Sequence, residues 1–224
     1  MTAVLVILTI VIAVGLDVAV MAYRRRRGTA PETLAPRAML EPRPPQGVFL
    51  APAHSWVRIT TEGTLRVGID EFLVEALGEV EAVRVPARGT RVNRGDPLIT
   101  LRIAGRELVV PAPANGEVMT MNDRVMASPY LVSRDPYGVG WIVGLWTPDH
   151  QEAIRPLRIG AAAVAFLRAE MRRLVDFLNG MTIPQGAPVL ADGGLPLHGA
   201  IRSLDGNGWQ AFQDEFLGTA RTGA

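Results

Sequence analysis

The longest apolar stretch of the chain is at its beginning. Residues 3–23, AVLVILTIVIAVGLDVAVMAY, form a nearly continuous hydrophobic run, and four arginines follow it directly: Arg24, Arg25, Arg26 and Arg27. About 20 helical residues span roughly 30 Å, which is the hydrocarbon core of one bilayer. No basic residue precedes the run, so it is unlike a cleavable signal peptide. The pattern predicts a permanent transmembrane anchor with a basic flank over residues 1–27.

The charged and aromatic residues of this segment predict its orientation and contacts. The positive-inside rule places the four arginines and the body in the cytoplasm and the N-terminus outside, as in a single-pass protein of the inner membrane. Tyr23 suits the lipid headgroup boundary. Asp17 interrupts the apolar run, and it either snorkels toward Arg24 or faces a partner helix; both interpretations stay open. We expect Asp17, Tyr23 and Arg24–Arg27 to contact lipid or a membrane partner.

A proline-rich stretch, residues 28–53, separates the anchor from the body. Prolines recur throughout it, at positions 31, 36, 42, 44, 45 and 52. Such a density disfavours helices and central strands and is typical of an extended, semi-stiff tether. The alternative is an arm that lies on a neighbouring subunit, for which Val48–Leu50 offers apolar side chains.

From Ser55 onward, short alternating runs replace the long apolar one. Trp56–Thr60 and Thr64–Ile69 predict two strands around a tight turn. The segment DEFLVEALG predicts a short helix that begins after Asp70 as N-cap and ends at Gly78. Further short apolar runs follow, punctuated by glycine or proline roughly every 8–12 residues, which is typical of a β-sandwich or barrel.

The composition excludes several kinds of chemistry. The formal net charge is +1, so no strong basic field indicates nucleic acid as a partner. All 23 basic residues are arginines, and the chain contains neither lysine nor cysteine. No side-chain amine is therefore present for a Schiff base, biotin or lipoate, and no thiolate is present for catalysis, disulfides or metal binding.

The remaining candidates for chemistry are weak. His54, His150 and His198 are scattered along the chain, which does not favour a metal site. Glu79 and Glu81 are two residues apart, and in a strand they share a face that is expected to be solvated. We therefore predict no catalytic residue, no metal and no cofactor, and the chain is not expected to be an enzyme.

Five motifs together resemble the glycine cleavage H-protein. They are HSWVR at 54–58, VGIDEFLVEALGEV at 67–80, VPARGTRVNRGDPL at 85–98, PAPANGEV at 111–118 and DPYGVGWIV at 135–143. The resemblance implies a lipoyl-like barrel-sandwich hybrid, with two small antiparallel sheets, a helical turn and a C-terminal helix. The predicted fold is thus mainly β, with an H-protein-like domain at 54–150, a C-terminal helix at 151–180 and one N-terminal transmembrane helix.

The sequence departs from this family at the tip of a hairpin. LRIAGRELVV, residues 101–110, predicts two strands with Ala104-Gly105 at the turn. The family carries lipoate on the lysine of Glu-Ser-Val-Lys at this tip, and an ungapped alignment places Arg102, Ile103, Ala104 and Gly105 there. Arg106 follows, but a guanidinium stays protonated and is a poor nucleophile for amide formation. We therefore predict a degenerate lipoyl position at Gly105 and Arg106 without covalent lipoate.

The last part of the chain, residues 181–224, extends beyond the predicted helix. It is rich in glycine and proline and then contains the amphipathic stretch WQAFQDEFL at 209–217. Trp209, Phe212 and Phe216 share one helical face. That face either caps the body or docks on another subunit, and we count the three residues among the candidate partner contacts.

Three hypotheses on function follow from these features. The first is a non-catalytic, lipoate-free, membrane-anchored accessory subunit of a larger inner-membrane complex of respiratory or photosynthetic type, with membrane lipid and other subunits as partners. The second is a docking or carrier module for membrane-associated glycine or one-carbon metabolism. The third is a periplasmic adaptor of a transport system, which requires the opposite membrane topology.

Overall fold

The computed structural model describes residues 42–180 and 198–218. The strands in these ranges are β1 Phe49–Leu50, β2 Ser55–Ile59, β3 Leu65–Ile69, β4 Ala82–Arg84, β5 Arg91–Val92, β6 Pro97–Ile103, β7 Arg106–Pro111, β8 Gly116–Met121 and β9 Val143–Trp146. The helices are α1 Glu71–Leu77, α2 Asp123–Ala127, α3 Tyr130–Arg134, α4 His150–Ile154, α5 Ala161–Gly180 and α6 Gly206–Phe212. A 3-10 helix, Ala200–Ser203, precedes α6, and a π-helical turn, Gln213–Leu217, follows it.

The strands form two antiparallel sheets. One has six strands in the order β1-β2-β3-β9-β8-β5, and the other has three in the order β4-β6-β7. The alternation of the sequence sets their faces: Leu65, Val67 and Ile69 are fully buried, whereas Arg66 between them is exposed. The prediction of a mainly β fold with a C-terminal helix is confirmed.

Helix α1 has the ends that the sequence predicts. The Asp70 side chain accepts a hydrogen bond from the Leu73 N–H at 3.0 Å, which satisfies a donor of the first turn. The helix ends at Gly78, whose φ of 70° lies in the region that glycine adopts without strain. Phe72 and Leu73 are fully buried, so the helix contributes large apolar side chains to the core.

The β6–β7 hairpin turns at Ala104 and Gly105, as predicted. Ile103 pairs with Arg106 across a two-residue loop, and both loop residues have positive φ, 50° for Ala104 and 74° for Gly105. Such a loop matches the right-handed twist of the flanking strands. Glycine adopts this conformation without strain, whereas the left-handed backbone of Ala104 destabilises the turn by about 1–2 kcal/mol.

The residues before β2 are more structured than a tether. Val48 and Leu50 are almost completely buried, and β1 pairs with β2 through Phe49↔Val57 and Leu50↔Trp56. The domain therefore begins ahead of the predicted boundary at residue 53, because the apolar side chains of this arm add to the chain's own core.

The membrane-related predictions fall outside the described part of the chain. Asp17, Tyr23 and Arg24–Arg27 lie in residues 1–41, and their roles stay predictions. Within residues 42–180 and 198–218, no helix combines the length and the apolar character needed to cross a bilayer.

Candidate functional site

The hairpin apex is held by a carboxylate from the neighbouring strand segment. Glu81 precedes β4, and β4 pairs with β6. Its Oε1 accepts a hydrogen bond from the Ala104 N–H at 2.7 Å, and its Oε2 accepts one from the Gly105 N–H at 3.4 Å. Arg102 Nε lies 3.7 Å from the same carboxylate. The apex is therefore ordered by Glu81, which the sequence had assigned to a solvated strand face.

Arg106, next to the apex, is bound to the C-terminal part of the chain. Its guanidinium donates hydrogen bonds to the carbonyl oxygens of Leu204 at 2.5 Å and Asp205 at 3.4 Å. It also lies 5.5 Å from the ring centroid of Trp209, whose Nε1 donates to the Glu107 carbonyl at 3.2 Å. The start of β7 is thus tied to residues 198–218, which we call the C-terminal strap.

The strap also binds the backbone at both sides of α1's C-terminal end. The Gly199 N–H donates to the Glu75 carbonyl at 2.7 Å. The Arg202 guanidinium donates to the Glu79 carbonyl at 2.9 Å. The strap therefore satisfies the Glu75 carbonyl, which α1 leaves free at its end, and the carbonyl of Glu79 just beyond the helix.

Aromatic packing holds the second half of the strap. Phe216 contacts Phe72 of α1 at 5.5 Å between ring centroids and Phe177 of α5 at 5.6 Å, and it stacks on Phe212 at 5.0 Å. Trp209, Phe212 and Phe216 are all buried. Of the two alternatives for this apolar face, the structure shows the cap on the body. The assignment of these three residues to partner contacts is corrected accordingly, since the chain's own helices cover them.

A second constellation is buried beneath α1 and α5. His54 is fully buried, and its Nδ1 lies 2.9 Å from Asp70 Oδ2 while its Nε2 lies 3.5 Å from Glu170 Oε2. Its ring stacks on Phe72 at 4.0 Å and on Phe166 at 5.4 Å. His54 has a φ of 62°, a rare conformation for a residue other than glycine. One side chain therefore links β2, α1 and α5.

The carboxylates determine the protonation of His54. Burial alone lowers the pKa of His54, but the charges and hydrogen bonds of Asp70 and Glu170 outweigh it, so that the pKa is raised. Burial raises the pKa of Glu170, and contacts with His54 and Arg173 lower it further than burial raises it. Arg173 Nη1 lies 2.7 Å from Glu170, and its Nη2 lies 3.3 Å from Glu215 of the strap. The result is a chain of ionisable side chains that runs from the core to the strap.

This arrangement predicts a pH-dependent stability. Because the folded-state pKa of His54 lies above its unfolded value near 6.5, its contribution is fully present below pH 6.5 and is lost as pH rises through the folded-state pKa. We expect the difference in free energy of unfolding between the wild type and His54→Asn to shrink from pH 5.5 to pH 9, as measured by urea denaturation. Asparagine tolerates the left-handed backbone, and the lost ring packing on Phe72 and Phe166 destabilises the variant at every pH, so the pH dependence of the difference reports the charge.

The control for this experiment is His150→Asn. His150 Nε2 contacts the Gly63 carbonyl at 2.7 Å and takes no part in the buried chain of charges. Its difference from the wild type should not follow the same pH trend. A wild-type advantage over His54→Asn that stays constant across the range would contradict a charged His54.

The comparison with known proteins identifies the domain that contains both constellations. The family model described as glycine cleavage H-protein matches residues 49–170. The chain belongs to this family. The match includes the hairpin, His54 and the first half of α5, whereas the strap lies beyond it.

Two curated relatives agree with this assignment, and one solved structure is also similar. The glycine cleavage system H protein of Cronobacter sakazakii is 38% identical over 99 residues, which cover 44% of this chain and 77% of that protein. The probable glycine cleavage system H protein 2 of Sulfurisphaera tokodaii is 37% identical over 112 residues, or 50% of this chain and 75% of the relative. The crystal structure of an H protein from Mycobacterium marinum is 27% identical, covers 56% of this chain and 99% of its own, and has a TM-score of 0.49.

These relatives correct the first functional hypothesis. We predicted a lipoate-free accessory subunit of a larger inner-membrane complex of respiratory or photosynthetic type. That prediction is wrong, because the similar proteins are named as glycine cleavage system H proteins rather than as subunits of such a complex. The second hypothesis, a docking or carrier module for membrane-associated glycine or one-carbon metabolism, stays a proposal, and the names of these relatives support only its link to glycine cleavage.

Proposed function

We propose that this chain is an H-type docking domain for glycine cleavage chemistry. It presents the H-protein shape to partner enzymes of that system, and its own hairpin apex carries no lipoyl amide. The observation that carries the proposal is the composition of the apex, Ala104-Gly105, within a domain that matches the H-protein family over residues 49–170.

The residues at the apex do not fit covalent lipoate. A lipoyl amide needs a primary amine, and the chain contains no lysine. Arg106 is the neighbouring cation, but its guanidinium already binds the carbonyls of Leu204 and Asp205 and lies against Trp209. No step of lipoate-dependent chemistry is therefore assigned to this hairpin.

The geometry of the apex supports docking without such a group. Glu81 fixes the two backbone N–H groups of the turn, so the apex has one defined shape before any partner binds. A Cβ added at Gly105 would meet no atom within 4 Å, which shows that the space around the tip is open. A partner surface that accommodates an H-protein hairpin therefore meets an ordered turn with almost no side chain.

The segment ahead of the domain supports a cellular location for this proposed function. The apolar run 3–23 and the following arginines support attachment to the inner membrane with the docking domain on the cytoplasmic side. A C-terminal fusion to alkaline phosphatase, which is active only outside the cytoplasm, should be inactive in intact cells. An active fusion would place the domain on the other side.

Competition with a lipoylated H protein tests the docking function. The glycine cleavage reaction is reconstituted with enzymes and H protein from the same organism, and the full chain is added in a non-ionic detergent. We expect the apparent KM for the lipoylated H protein to rise in proportion to the added chain while kcat stays constant, because both proteins bind the same enzyme surface. The chain alone should support no turnover.

A matched pair of variants localises the effect. Gly105→Trp places a bulky side chain at the apex and should abolish the competition. Gly89→Trp changes another open glycine with positive φ, away from the hairpin, and should compete like the wild type. An unchanged KM at a large excess of the chain, or turnover supported by the chain alone, would refute the proposal.

A further inference from the structure

The outer face of the six-stranded sheet carries an unusual pair of like charges. Arg58 of β2 lies directly opposite Arg66 of β3, and Arg66 lies opposite Gly144 of β9. The residues on either side of Arg66, Leu65 and Val67, point into the core and are fully buried. The two guanidinium groups therefore project from the same face, with Cβ atoms about 4.5–5.5 Å apart in such a pair.

Like charges in this position destabilise a sheet, and three other sheet arginines each lie beside a glutamate instead. Arg84 pairs with Glu107, Arg91 with Glu117 and Arg102 with Glu81. In the part of the chain that the structure describes, neither Arg58 nor Arg66 has a carboxylate within ion-pair distance. Each of those three arginines has a glutamate within ion-pair distance, whereas Arg66 interacts with the Glu62 carboxylate of the β2–β3 turn only at longer range.

Tryptophan rings support the two guanidinium groups instead. The Arg58 guanidinium lies 5.7 Å from the Trp56 ring centroid, and that of Arg66 lies 5.1 Å from Trp141. Stacking on a ring fixes a guanidinium plane and leaves its edge N–H groups free to donate. Trp146 lies two residues after Gly144 on β9, so the two residues share a face of the strand. Trp146 is 48% exposed. We call Arg58, Arg66, Trp141 and Trp146 the arginine–tryptophan face.

We infer that the arginine–tryptophan face binds an acidic helical segment of a partner protein. Oriented guanidinium groups bind carboxylates in a bidentate manner, and tryptophan and arginine dominate the energetics of protein interfaces. Two carboxylates four residues apart on a helix have Cβ atoms about 5–6 Å apart, which matches the spacing of the two arginines. The apolar side chains between the two carboxylates of such a helix pack against Trp146.

The charge distribution favours a peptide over a polyanionic surface. Only two arginines without a carboxylate in ion-pair distance contribute to this face, and Glu117, opposite Trp146 on β8, is paired with Arg91 at its border. A membrane surface or a nucleic acid needs a broader array of basic residues, and the formal net charge of the chain is only +1. Two discrete carboxylates match two discrete cations.

A pair of synthetic peptides tests this inference on the full chain in non-ionic detergent. The probe is a fluorescently labelled helical peptide of alanine and glutamine with two glutamates four residues apart, and its partner has glutamine at both positions. By fluorescence anisotropy, we expect the glutamate peptide to bind about tenfold or more tightly than the glutamine peptide. The preference should weaken as salt is raised.

Single substitutions assign the preference to the face. Arg58→Gln and Arg66→Gln should each remove most of it, whereas Arg84→Gln, an exposed arginine of the other sheet, should leave it intact. Near-ultraviolet circular dichroism verifies that each variant is folded, and two arginine variants allow for the failure of one. Equal binding of both peptides, or equal loss in Arg84→Gln, would overturn the inference. Binding to phosphatidylglycerol vesicles that depends on Arg66, without a peptide preference, would overturn it in favour of a membrane surface.

Discussion

Gly105→Lys is expected to accept a lipoyl group, whereas the wild-type chain stays unmodified. The substitution supplies the one group that the apex lacks, a primary amine. An added Cβ at this position meets no atom within 4 Å, so the lysine side chain extends into open space. The φ of 74° makes the variant less stable by about 1–2 kcal/mol, which a folded domain tolerates. Intact mass after incubation with lipoate, ATP and a lipoate ligase measures the result.

Gly89→Lys is the matched control for this experiment. Its φ of 87° and its open surroundings resemble those of Gly105, but it lies in a different turn. The control should keep its original mass, because an amine alone does not make a lipoyl hairpin. If Gly105→Lys also stayed unmodified, or if the wild type gained a lipoyl group, the apex would not be the position that we assign to it.

Phe212→Ala is expected to lower the free energy of unfolding by about 3–5 kcal/mol. The Phe212 side chain is fully buried, stacks on Phe216 at 5.0 Å and meets the ring of Phe177 of α5 at 6.2 Å. Its removal leaves a cavity between the strap and α5, because the surrounding side chains relax only partly into the vacated space. Urea denaturation of the full chain measures the change.

Gln210→Ala tests the same helix without touching the core. Gln210 is exposed and hydrogen-bonds to Asp214 at 2.9 Å on the surface of the strap. A surface substitution of this kind changes stability by about 0.5 kcal/mol or less. Similar effects of the two substitutions would show that the strap unfolds independently of the domain and is not part of its core.

Local rules predicted much of the fold. Asp70 and Gly78 delimit α1 as expected, because capping and left-handed termination depend on neighbouring residues only. The hairpin turn at Ala104 and Gly105 follows from the two apolar runs that flank it. The amphipathic pattern identified the apolar face of the strap but not its partner, because periodicity shows which side chains are buried and not what buries them.

The candidate site depended on contacts that no local pattern contains. Arg106 and Leu204 are 98 positions apart, and His54 and Asp70 are 16 apart. Glu81 is exposed, as predicted for a solvated strand face, but only the pairing of β4 with β6 shows that it lies at the hairpin apex. The one available signal for His54 was its position at the start of a motif shared with H-proteins.

The error in the first functional hypothesis has a physical explanation. The absent lysine excludes one covalent attachment, but the rest of the domain still matches the H-protein family over residues 49–170. We interpreted the anchor, the linker and the C-terminal tail as segments that attach the domain to a membrane complex. Two of those additions, the residues around β1 and the strap, instead complete the domain's own core.

Equilibrium binding is the most direct test of the docking function. The partner enzyme that binds the organism's H protein is immobilised, and the full chain is titrated over it with and without free H protein. We predict saturable binding of the chain that free H protein displaces completely. Absent binding, or binding that a saturating concentration of H protein leaves unchanged, would contradict the proposed role.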